Sequence, residues 1–421
     1  VRSRWSLKCA QETTESPASG TAVQTSILKP QASVRKPQTT LPHLHFPQRD
    51  RHLNGRRWAV WGMLCAGALG PAHARLWSIS PYKFVRRVPW TGPIFWVPAM
   101  QVTRLDQLDA CRQISAAWDS MAHGVPFRRT AWLLSWWNHF QASGDLCVLQ
   151  VSDQQGEIVG IAPWYIDSSV RQGRVIRPLG SGDTCSDYLG ILTTTEHEPQ
   201  VTEALARWLV AAAEGKHGAE NRWDLLDLVS VDAQDPIMLH FTGQLQEVGN
   251  HVHPCDAMSC WQIELPETWD EYLAKLSRTQ RKRVRRMDRK WLESGVTCLQ
   301  TATTADEVEH AMDVLVDLHQ QRQQSLGNPG CFADQAFAEF LREAAQRMLQ
   351  EQTLQLHWME LEGKPFAAEF QLTSGETTYA FLGGISCDMQ ESSPGQIIQI
   401  AIFKQSIAQR QRVFDFLRGA E

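Results

Sequence analysis

Hydrophobic residues recur at helical and at strand spacing in alternation from residue 100 onward. Leu105 to Met121 carries apolar side chains at intervals of three and four residues, and Thr130 to Phe140 repeats this spacing, so both segments are predicted helices. Leu146 to Val151 and Ile158 to Trp164 are apolar runs joined by Asp153 to Gly156, a sequence typical of a β-hairpin. This succession predicts a mixed α/β fold.

The succession occurs twice. The first block continues with strands, a helix and a last strand, predicted at Arg174 to Leu179, Tyr188 to Leu192, Glu198 to Ala213 and Trp223 to Val229. The second block contains strands and helices predicted in the order Ser259 to Leu265, a long helix from Thr268 to the stop at Gly295, Val296 to Gln300, Thr304 to Gln324, Asp334 to Glu351, Leu354 to Leu361, Lys364 to Leu372, Thr377 to Gly383, Pro394 to Arg410 and Val413 to Leu417. Such an internal repeat predicts two related halves, each a mixed sheet flanked by helices, with a ligand cleft between them.

Charge and proline content separate residues 1–99 from the rest. They hold 14 Lys and Arg against 3 Asp and Glu, and they contain 10 of the 20 prolines, without a sustained hydrophobic period. This composition predicts disorder. Two other interpretations stay open. The segment is an artefact of gene calling if translation starts at Met100, or it holds a signal peptide made of the apolar run Trp58 to Leu69 and the sequence Ala72-His73-Ala74.

We therefore divide the chain into a disordered segment at residues 1–99, an N-terminal half at 100–258 and a C-terminal half at 259–421, which agrees with about 150 residues per domain. No apolar run reaches the roughly 18 residues of a membrane-spanning helix. The cysteines are scattered, and Cys255 with Cys260 lacks the second pair of a zinc site. These features predict a cytoplasmic protein without a metal ion.

One predicted helix carries an unusual concentration of positive charge. Its basic residues are Lys275, Arg278, Arg281, Lys282, Arg283, Arg285, Arg286, Arg289 and Lys290. No acidic residue lies between Lys275 and Met287, so this face repels itself unless an anion neutralises it. We expect Arg281 and Arg285 to contact the phosphates of a cofactor, a nucleic acid or a lipid surface. A solvated basic face is the alternative.

Two further segments suggest a pyrophosphate-binding helix start and a functional loop. Ser393, Pro394, Gly395 and Gln396 begin a helix directly after a strand, where free backbone amides attract a pyrophosphate; an ordinary capped helix start is the alternative. The loop before Tyr188 is rich in polar side chains and is either functional or a plain polar turn.

Ionisable residues at three further positions are candidates for chemistry. His319 and Arg322 lie one turn apart on a predicted helix, as a base and an anion partner or as a solvated helix end. Glu369 interrupts an apolar strand, and a carboxylate there is either paired or catalytic.

The order of several motifs resembles the CelD-like (BioF-like) acetyltransferase family of the GNAT superfamily, which is distantly similar to peptidoglycan aminoacyl transferases. The resemblance covers about three quarters of the chain and rests on the motifs PFRRTAWLLSWWNHF (126–140), GIAPWYI (160–166), RPLGSGDTCSDYLGIL (177–192), WDLLDL (223–228), LSRTQRKRVRRMDRKWLESG (276–295), LHQQR (318–322), SPGQIIQIAIFKQSI (393–407) and FDFLRGAE (414–421). It implies two tandem GNAT-like (acyl-CoA N-acyltransferase) halves and transfer of an acyl group from acyl-CoA to an amine or hydroxyl acceptor, in polysaccharide or cell-envelope metabolism.

The resemblance also implies where the donor binds. In that superfamily the pyrophosphate of coenzyme A lies against the helix after the central strand, which corresponds here to Ser393, Pro394 and Gly395, extended to Gln396. Family members have Trp where this chain has Gln323, and they continue past the FDFLRG motif with a Tyr-Lys pair and another strand, so we expect the C-terminal half to be truncated at Glu421.

An acyltransferase must hold the thioester, orient the acceptor and remove its proton. Glu369, Asp187 and His319 are the candidate bases. Tyr188 is the candidate acid for the leaving thiolate, and Arg322 or Arg418 would hold an anionic acceptor.

Two alternatives to an acyl-CoA enzyme stay open. One is a tRNA-dependent aminoacyl transferase of peptidoglycan type, in which RNA phosphates contact the basic helix. The other is a non-catalytic accessory protein of envelope biosynthesis.

Overall fold

The computed structural model describes residues 74–79, 82–85, 100–141, 144–254 and 258–418. Its strands are β1 (Ala74–Ile79), β2 (Tyr82–Val85), β3 (Gln101–Leu105), β4 (Gly144–Ser152), β5 (Ile158–Ser169), β6 (Gly173–Pro178), β7 (Leu192–Thr193), β8 (Leu225–Leu228), β9 (His251–Pro254), β10 (Met258–Glu264), β11 (Leu299–Thr301), β12 (Leu354–Leu361), β13 (Lys364–Ser374), β14 (Thr377–Ile385) and β15 (Val413–Arg418). Its α-helices are α1 (Leu108–Gln113), α2 (Ser115–Ser120), α3 (Thr130–Phe140), α4 (Glu198–Ala213), α5 (Pro236–Glu247), α6 (Trp269–Lys275), α7 (Arg278–Met287), α8 (Ala305–Ser325), α9 (Gln335–Gln350) and α10 (Pro394–Ala408).

The strands form two mixed sheets with the same arrangement. The first has the order β3-β4-β5-β6-β8-β2-β9, with β7 beside β5, and the second has the order β11-β12-β13-β14-β15-β10-β1. In each sheet the first four strands named are antiparallel, and the fifth is parallel to the fourth, as β8 to β6 and β15 to β14. The predicted fold class, two mixed sheets flanked by helices, is confirmed.

Two strands lie inside the segment predicted to be disordered. β1 pairs with β10, and β2 lies between β8 and β9. The prediction of disorder is therefore wrong for these ten residues. Strands of four to six residues gain their stability from backbone hydrogen bonds to distant partners, so they leave no sustained hydrophobic period in the local sequence. The remainder of residues 1–99, including the signal-peptide interpretation of Trp58 to Leu69, lies outside the described residues.

The boundaries of several predicted elements also differ. The helix predicted from Leu105 to Met121 is β3 followed by α1 and α2, which are interrupted at Ile114. The long basic helix is broken after α6, because the hydroxyl of Ser277 accepts the Gln280 N–H and caps a new helix, α7, which continues as the π-helical turn Asp288–Glu293. The strand predicted at Tyr188 to Leu192 is reduced to a bridge at Leu189 and to β7.

The two halves share a hydrophobic core made by α3 and α9. The Trp132 ring packs edge-on against Phe340 and Phe381, each with its centroid at 4.9 Å. At the end of the same contact, Glu343 accepts hydrogen bonds from Asn138 and pairs with His139, each at 2.8 Å. Because aromatic side chains bury large areas, this shared core holds α3 of the first half against α9 and β14 of the second half.

Candidate functional site

The second sheet opens between its two parallel strands. β14 and β15 pair only where Thr377 to Tyr379 face Val413 to Asp415, although β14 continues to Ile385 and β15 to Arg418. Beyond Tyr379 the facing edges of the two strands share no ladder of hydrogen bonds. Backbone N–H and C=O groups that a neighbouring strand does not use are natural partners for an extended ligand.

A buried polar cluster at this opening joins the two halves. The Tyr188 hydroxyl donates to Oδ2 of Asp415 at 2.6 Å, and Nε2 of Gln262 donates to the same oxygen at 2.7 Å. The other carboxylate oxygen accepts the Leu417 N–H at 2.7 Å. The Asp415 side chain is 0% exposed. Tyr188 comes from the first half and the other residues from the second, so the hydroxyl is fixed at the boundary between them.

Burial controls protonation in this cluster. It raises the pKa of Asp415 to about 6. Burial, followed by the charge of Asp415, raises the pKa of Tyr188, so the phenol keeps its proton at neutral pH. Burial also raises the pKa of the neighbouring Cys260 thiol, with the charge of Asp187 as the next cause. The cluster therefore holds a protonated hydroxyl beside a carboxyl group that titrates near neutrality.

Asp187 and Arg418 form an ion pair at the edge of the same cluster. Nε of Arg418 lies 2.7 Å from Oδ1 of Asp187, and the Arg418 backbone N–H donates to Oδ2 at 2.9 Å. The guanidinium also donates to the Ser186 carbonyl at 2.8 Å. Burial raises the pKa of Asp187, and the charge of Arg418 opposes that rise. The pair holds the loop before Tyr188 against the last strand, so these two predicted site residues contact each other directly.

A second buried ion pair supports Tyr188 from the first half. Nη2 of Arg128 lies 2.6 Å from Oδ2 of Asp235, and Nε of Arg128 donates to the Tyr188 carbonyl at 2.5 Å. Tyr188 has a φ of 58°, in the left-handed region that a bulky side chain rarely adopts. The Arg128 contact stabilises this backbone and thereby sets the direction of the phenol.

His319 contacts the opened strand β14 from α8. Its Nδ1 lies 3.0 Å from the carbonyl oxygen of Gly383, a residue in the part of β14 that β15 does not pair. A Cβ on the next residue, Gly384, would lie 2.7 Å from the His319 backbone nitrogen, so only glycine allows α8 this close to the sheet. Burial lowers the pKa of His319, which leaves the imidazole neutral at pH 7.

Glu369 lies on the opposite face of the sheet from His319. Its strand neighbours Ala368 and Phe370 belong to the core cluster that contains the apolar residues of α8 and α9, and successive strand residues point to opposite faces. Its cross-strand partner is His357, whose Nδ1 lies 2.9 Å from the Thr301 hydroxyl. The structure thus separates two of the predicted bases by the thickness of the sheet.

The carboxyl group of Glu369 has no cationic partner among the described residues. Oε2 accepts a hydrogen bond from Nε2 of Gln371 at 2.5 Å, and Oε1 has no partner in this part of the chain. The side chain is 1% exposed, and burial raises its pKa to about 8. The sequence predicted that Glu369 is either paired or catalytic. Among the described residues, no cation pairs with it.

The helix start predicted to bind the donor is α10. Ser393 precedes Pro394 with a φ of 57° and makes no side-chain cap, and the N–H groups of Gln396 and Ile397 point back to its carbonyl. A Cβ on Gly395 would lie 3.7 Å from Cγ2 of Ile385, at the open end of β14. This turn therefore adjoins the opened strand.

The arginines predicted to bind substrate on α7 and α8 differ in their hydrogen bonds and in their exposure. Nη2 of Arg281 donates to the carbonyls of Ala274 and Leu276 at 2.9 and 3.0 Å, so this side chain closes the end of α6. Arg285 is exposed on α7. Arg322 lies three residues after His319 on α8 and is half-buried.

We define the basic surface as the exposed cations of α6, α7 and the π-helical turn, namely Lys275, Arg278, Lys282, Arg283, Arg285, Arg286, Arg289 and Lys290. None of them forms an ion pair with another described residue. The acidic residue in their midst, Asp288, is buried and bonded to Lys404 at 2.8 and 3.0 Å. The basic surface is thus free to meet an external anion.

Metal-ligand clusters and membrane-spanning helices are both absent from the described residues. No group of three or more His, Cys, Asp or Glu side chains is placed to hold a metal ion. Among the same residues, every helix is too short or too polar to cross a lipid bilayer.

The sequence indicated part of this site. Tyr188, Asp187 and Arg418 were each predicted, and the structure brings them together. Asp415 and Gln262 were missed, because each lies in a short strand and contacts Tyr188 across a sequence separation that no local pattern reveals. An aspartate between two phenylalanines of a final strand was the available signal.

Part of the second half matches a family of known proteins. Residues 278–421 match the family described as an acetyltransferase (GNAT) domain. No curated protein matches the chain. Similar solved structures include FemX, with 11% identity over 73% of this chain and 88% of that chain and a TM-score of 0.48. A tandem GNAT protein from the clavulanic acid biosynthesis pathway has 13% identity over 75% and 89%, with a TM-score of 0.40. L-PGS from Bacillus licheniformis has 9% identity over 72% and 74%, with a TM-score of 0.39.

The matched residues begin at α7 and include both strands of the opened pair, α10 and the carboxyl group that binds Tyr188. Residues 278–421 are therefore similar in sequence to an acetyltransferase domain of the GNAT type.

Proposed function

We propose that this chain is an acyltransferase that moves an acyl group from an acyl-CoA thioester to an amine or hydroxyl acceptor. The observation that carries the proposal is the opened strand pair within the GNAT domain, with the Tyr188 and Asp415 cluster at its edge. We also propose that the chain belongs to the CelD-like subfamily, that its acceptor comes from polysaccharide or cell-envelope metabolism, and that the protein is located in the cytoplasm.

The residues at the opening fit an acyl-CoA donor. The open edge of β14 offers backbone groups to an extended ligand, and the first turn of α10 places partial positive charge beside it. The donor supplies the activated acyl group. The protein's part is to hold the pyrophosphate near Gly395 and Gln396 and to place the thioester beside the polar cluster.

Proton transfer would use two neutral groups on this chain. His319 is uncharged at pH 7 and can accept a proton from the attacking acceptor. Tyr188 keeps its proton and can donate it to the departing thiolate, while Asp415 and Gln262 orient the phenol. Asp187 and Arg418 act in this scheme by positioning the Tyr188 loop, and Arg322 is the remaining candidate for an anionic acceptor.

Binding of the donor is tested by thermal unfolding of the full chain with acetyl-CoA and with a longer acyl-CoA. We expect a saturable rise in Tm, equivalent to about 2.7 kcal/mol at a ligand concentration 100 times the Kd. The Gly395→Trp variant should lose this rise, because its indole would project past Ile385 into the end of the opening.

Gly395→Ala is the matched control. A Cβ at this position makes ordinary van der Waals contact with Ile385 at 3.7 Å, so this variant should fold and keep the ligand-induced rise. A folded protein whose Tm does not respond to any acyl-CoA would contradict the proposed function.

The basic surface favours a second candidate, the tRNA-dependent aminoacyl transferase. If these eight cations contact RNA phosphates, the logarithm of the tRNA binding constant should fall linearly with the logarithm of salt concentration. The triple variant Lys282→Gln, Arg285→Gln, Arg289→Gln should reduce the steepness of that line by about 2 to 3.

Lys216→Gln with Lys364→Gln, two exposed lysines outside the basic surface, is the control and should leave the slope unchanged. Equal slopes for the triple variant and the unchanged protein would exclude this surface as an RNA contact.

A further inference from the structure

Five polar side chains lie at the contact between the second sheet and α10. We call them the α10-facing polar residues; they are Gln355, Glu369, Gln371, Thr378 and Gln399. Each has one buried side-chain atom without a hydrogen-bond partner among the described residues. All except Gln355 are between 1% and 6% exposed. Buried polar atoms without a partner are rare and unfavourable, so five in one place point to a bound polar ligand.

The strand register places four of these residues on one face of the sheet. Gln355 is directly opposite Gln371 in the ladder between β12 and β13, and Glu369 lies two residues before Gln371 on the same strand. Thr378 lies two residues before Ala380, which is the partner of Gln371 on β14. Ala380 packs against the core cluster that contains the apolar side chains of α10. The face that carries the four residues is therefore the one that α10 covers.

Gln399 approaches this face from α10. Gly395 faces β14, since a Cβ at this position would lie 3.7 Å from Cγ2 of Ile385. Gln399 follows Gly395 by four residues and thus lies on the same side of the helix. Lys404 lies on the opposite side, nine residues after Gly395, and bonds to Asp288 of the π-helical turn. Gln399 is therefore directed toward the sheet.

The unpartnered atoms are complementary to water. Oε1 of Gln355 and Oε1 of Gln371 are hydrogen-bond acceptors on directly opposite residues. Nε2 of Gln399 and the Thr378 hydroxyl are donors. Two acceptors that face each other need a donor between them. A water molecule donates two hydrogen bonds and accepts others, so it can join both kinds of group.

Room and charge also favour water. The residues of β14 opposite Gln371 and Glu369 are Ala380 and Gly383, and such small residues leave space beside both polar side chains. Burial raises the pKa of Glu369 to about 8, so the carboxyl group is uncharged at pH 7 and attracts no cation. The near-complete burial of the cluster favours a ligand as small as water over a larger one.

We propose that the contact between α10 and the second sheet is a binding site for buried water, which bridges Gln355 and Gln371 to Gln399 and accepts from Thr378. The bridge stabilises the position of α10, whose first turn adjoins the opened strand. This inference goes beyond the proposed function and does not depend on it, because it concerns the folded chain without a donor.

Magnetic relaxation dispersion of the solvent counts water molecules held for long times inside the full chain. The double variant Gln371→Met, Gln399→Met removes two partners of the water and fills the space with side chains of similar length. We expect this variant to hold at least one long-lived water molecule fewer than the unchanged protein. Gln154→Met with Gln335→Met, two exposed glutamines, is the matched control and should leave the number unchanged.

Thr378→Val tests the same site by the sign of a change in Tm. Valine has the shape of threonine without the hydroxyl, so the Tm should fall by about 2 to 4 °C if the hydroxyl has a water partner. Thr202→Val is the reference, because the buried Thr202 hydroxyl donates to the Glu198 carbonyl at 2.7 Å and its loss should also lower the Tm.

Equal numbers of long-lived water molecules in the unchanged protein and in the folded double variant would overturn the inference, whatever the thermal result. Circular dichroism verifies folding. If the double variant does not fold, the sign of the change for Thr378→Val decides. A rise in Tm would mean that the hydroxyl is buried without a partner, and it would overturn the inference, whereas a fall like that of Thr202→Val would support it.

Discussion

Arg128→Ala is expected to lower the free energy of unfolding by about 3 to 5 kcal/mol, because it removes one partner of a buried ion pair. The Arg128 and Asp235 side chains are 7% and 8% exposed, so the carboxylate left behind would be desolvated without compensation. The Tyr188 carbonyl would lose its donor as well. Chemical denaturation, monitored by tryptophan fluorescence, measures the change.

A matched control for this prediction is Arg112→Ala. Arg112 pairs with Asp109 at 2.8 Å, but the two side chains are 44% and 85% exposed, and an exposed pair contributes about 1 kcal/mol or less. The double variant Arg128→Met, Asp235→Asn should recover part of the loss, since neither charge then remains buried alone. Equal effects of Arg128→Ala and Arg112→Ala would mean that water reaches the Arg128 pair.

Glu369→Gln is expected to stabilise the protein at alkaline pH and to leave it almost unchanged in acid. The pKa of Glu369 rises from 4.5 to about 8 on folding because the side chain is buried. Below pH 4.5 the carboxyl group is protonated in both states and has no effect on stability. Between pH 4.5 and 8 the unfolded chain releases a proton that the folded chain keeps, so stability falls as pH rises.

Above pH 8 the loss is complete and amounts to about 4 to 5 kcal/mol, since each pKa unit corresponds to about 1.4 kcal/mol. Glutamine removes this loss and can still accept the hydrogen bond from Gln371. The measurement is the difference in unfolding free energy between the variant and the unchanged protein from pH 4 to pH 9. Glu391→Gln, an exposed glutamate of the same half, controls for the loss of one carboxyl group. A difference that stays constant across this range would contradict the buried environment of Glu369.

Periodicity predicted the second half well because its elements have one buried face each. The strand Leu354–Leu361 was predicted to the residue, and α9 and α10 were predicted within two residues at each end. Side chains that repeat every two or every 3.6 residues leave a signal that depends only on neighbours in the chain. The same succession of signals occurs in both halves, although the order of strands within each sheet comes from the backbone pairing.

Boundaries set by single polar groups were less predictable. The apolar stripe from Trp269 to Trp291 continues across Leu276, where the structure has a break and a new cap at Ser277. Ser277 and Gln280 form a recognisable signal for the start of a helix. The uninterrupted apolar stripe nevertheless predicted one continuous helix. A cap contributes about 1 kcal/mol, which is enough to redirect a helix without changing its hydrophobic pattern.

Single residues of the candidate site were predictable from the sequence, but their arrangement in space was not. Tyr188 and Arg418 are separated by more than two hundred positions, and nothing local indicates that Asp415 accepts from the phenol or that Arg128 supports its backbone. Contacts between halves depend on packing, which the sequence pattern does not encode locally.

The strands β1 and β2 limit how far the two sheets can move apart. Ile79 ends a strand of one sheet and Tyr82 begins a strand of the other, and two residues separate them in the chain. Three successive Cα steps of about 3.8 Å each allow these strand ends a separation of about 11 Å at most. The covalent chain therefore limits the separation of the two sheets at this point. A wide swing of one sheet away from the other would therefore require β1 or β2 to separate from its partner strands.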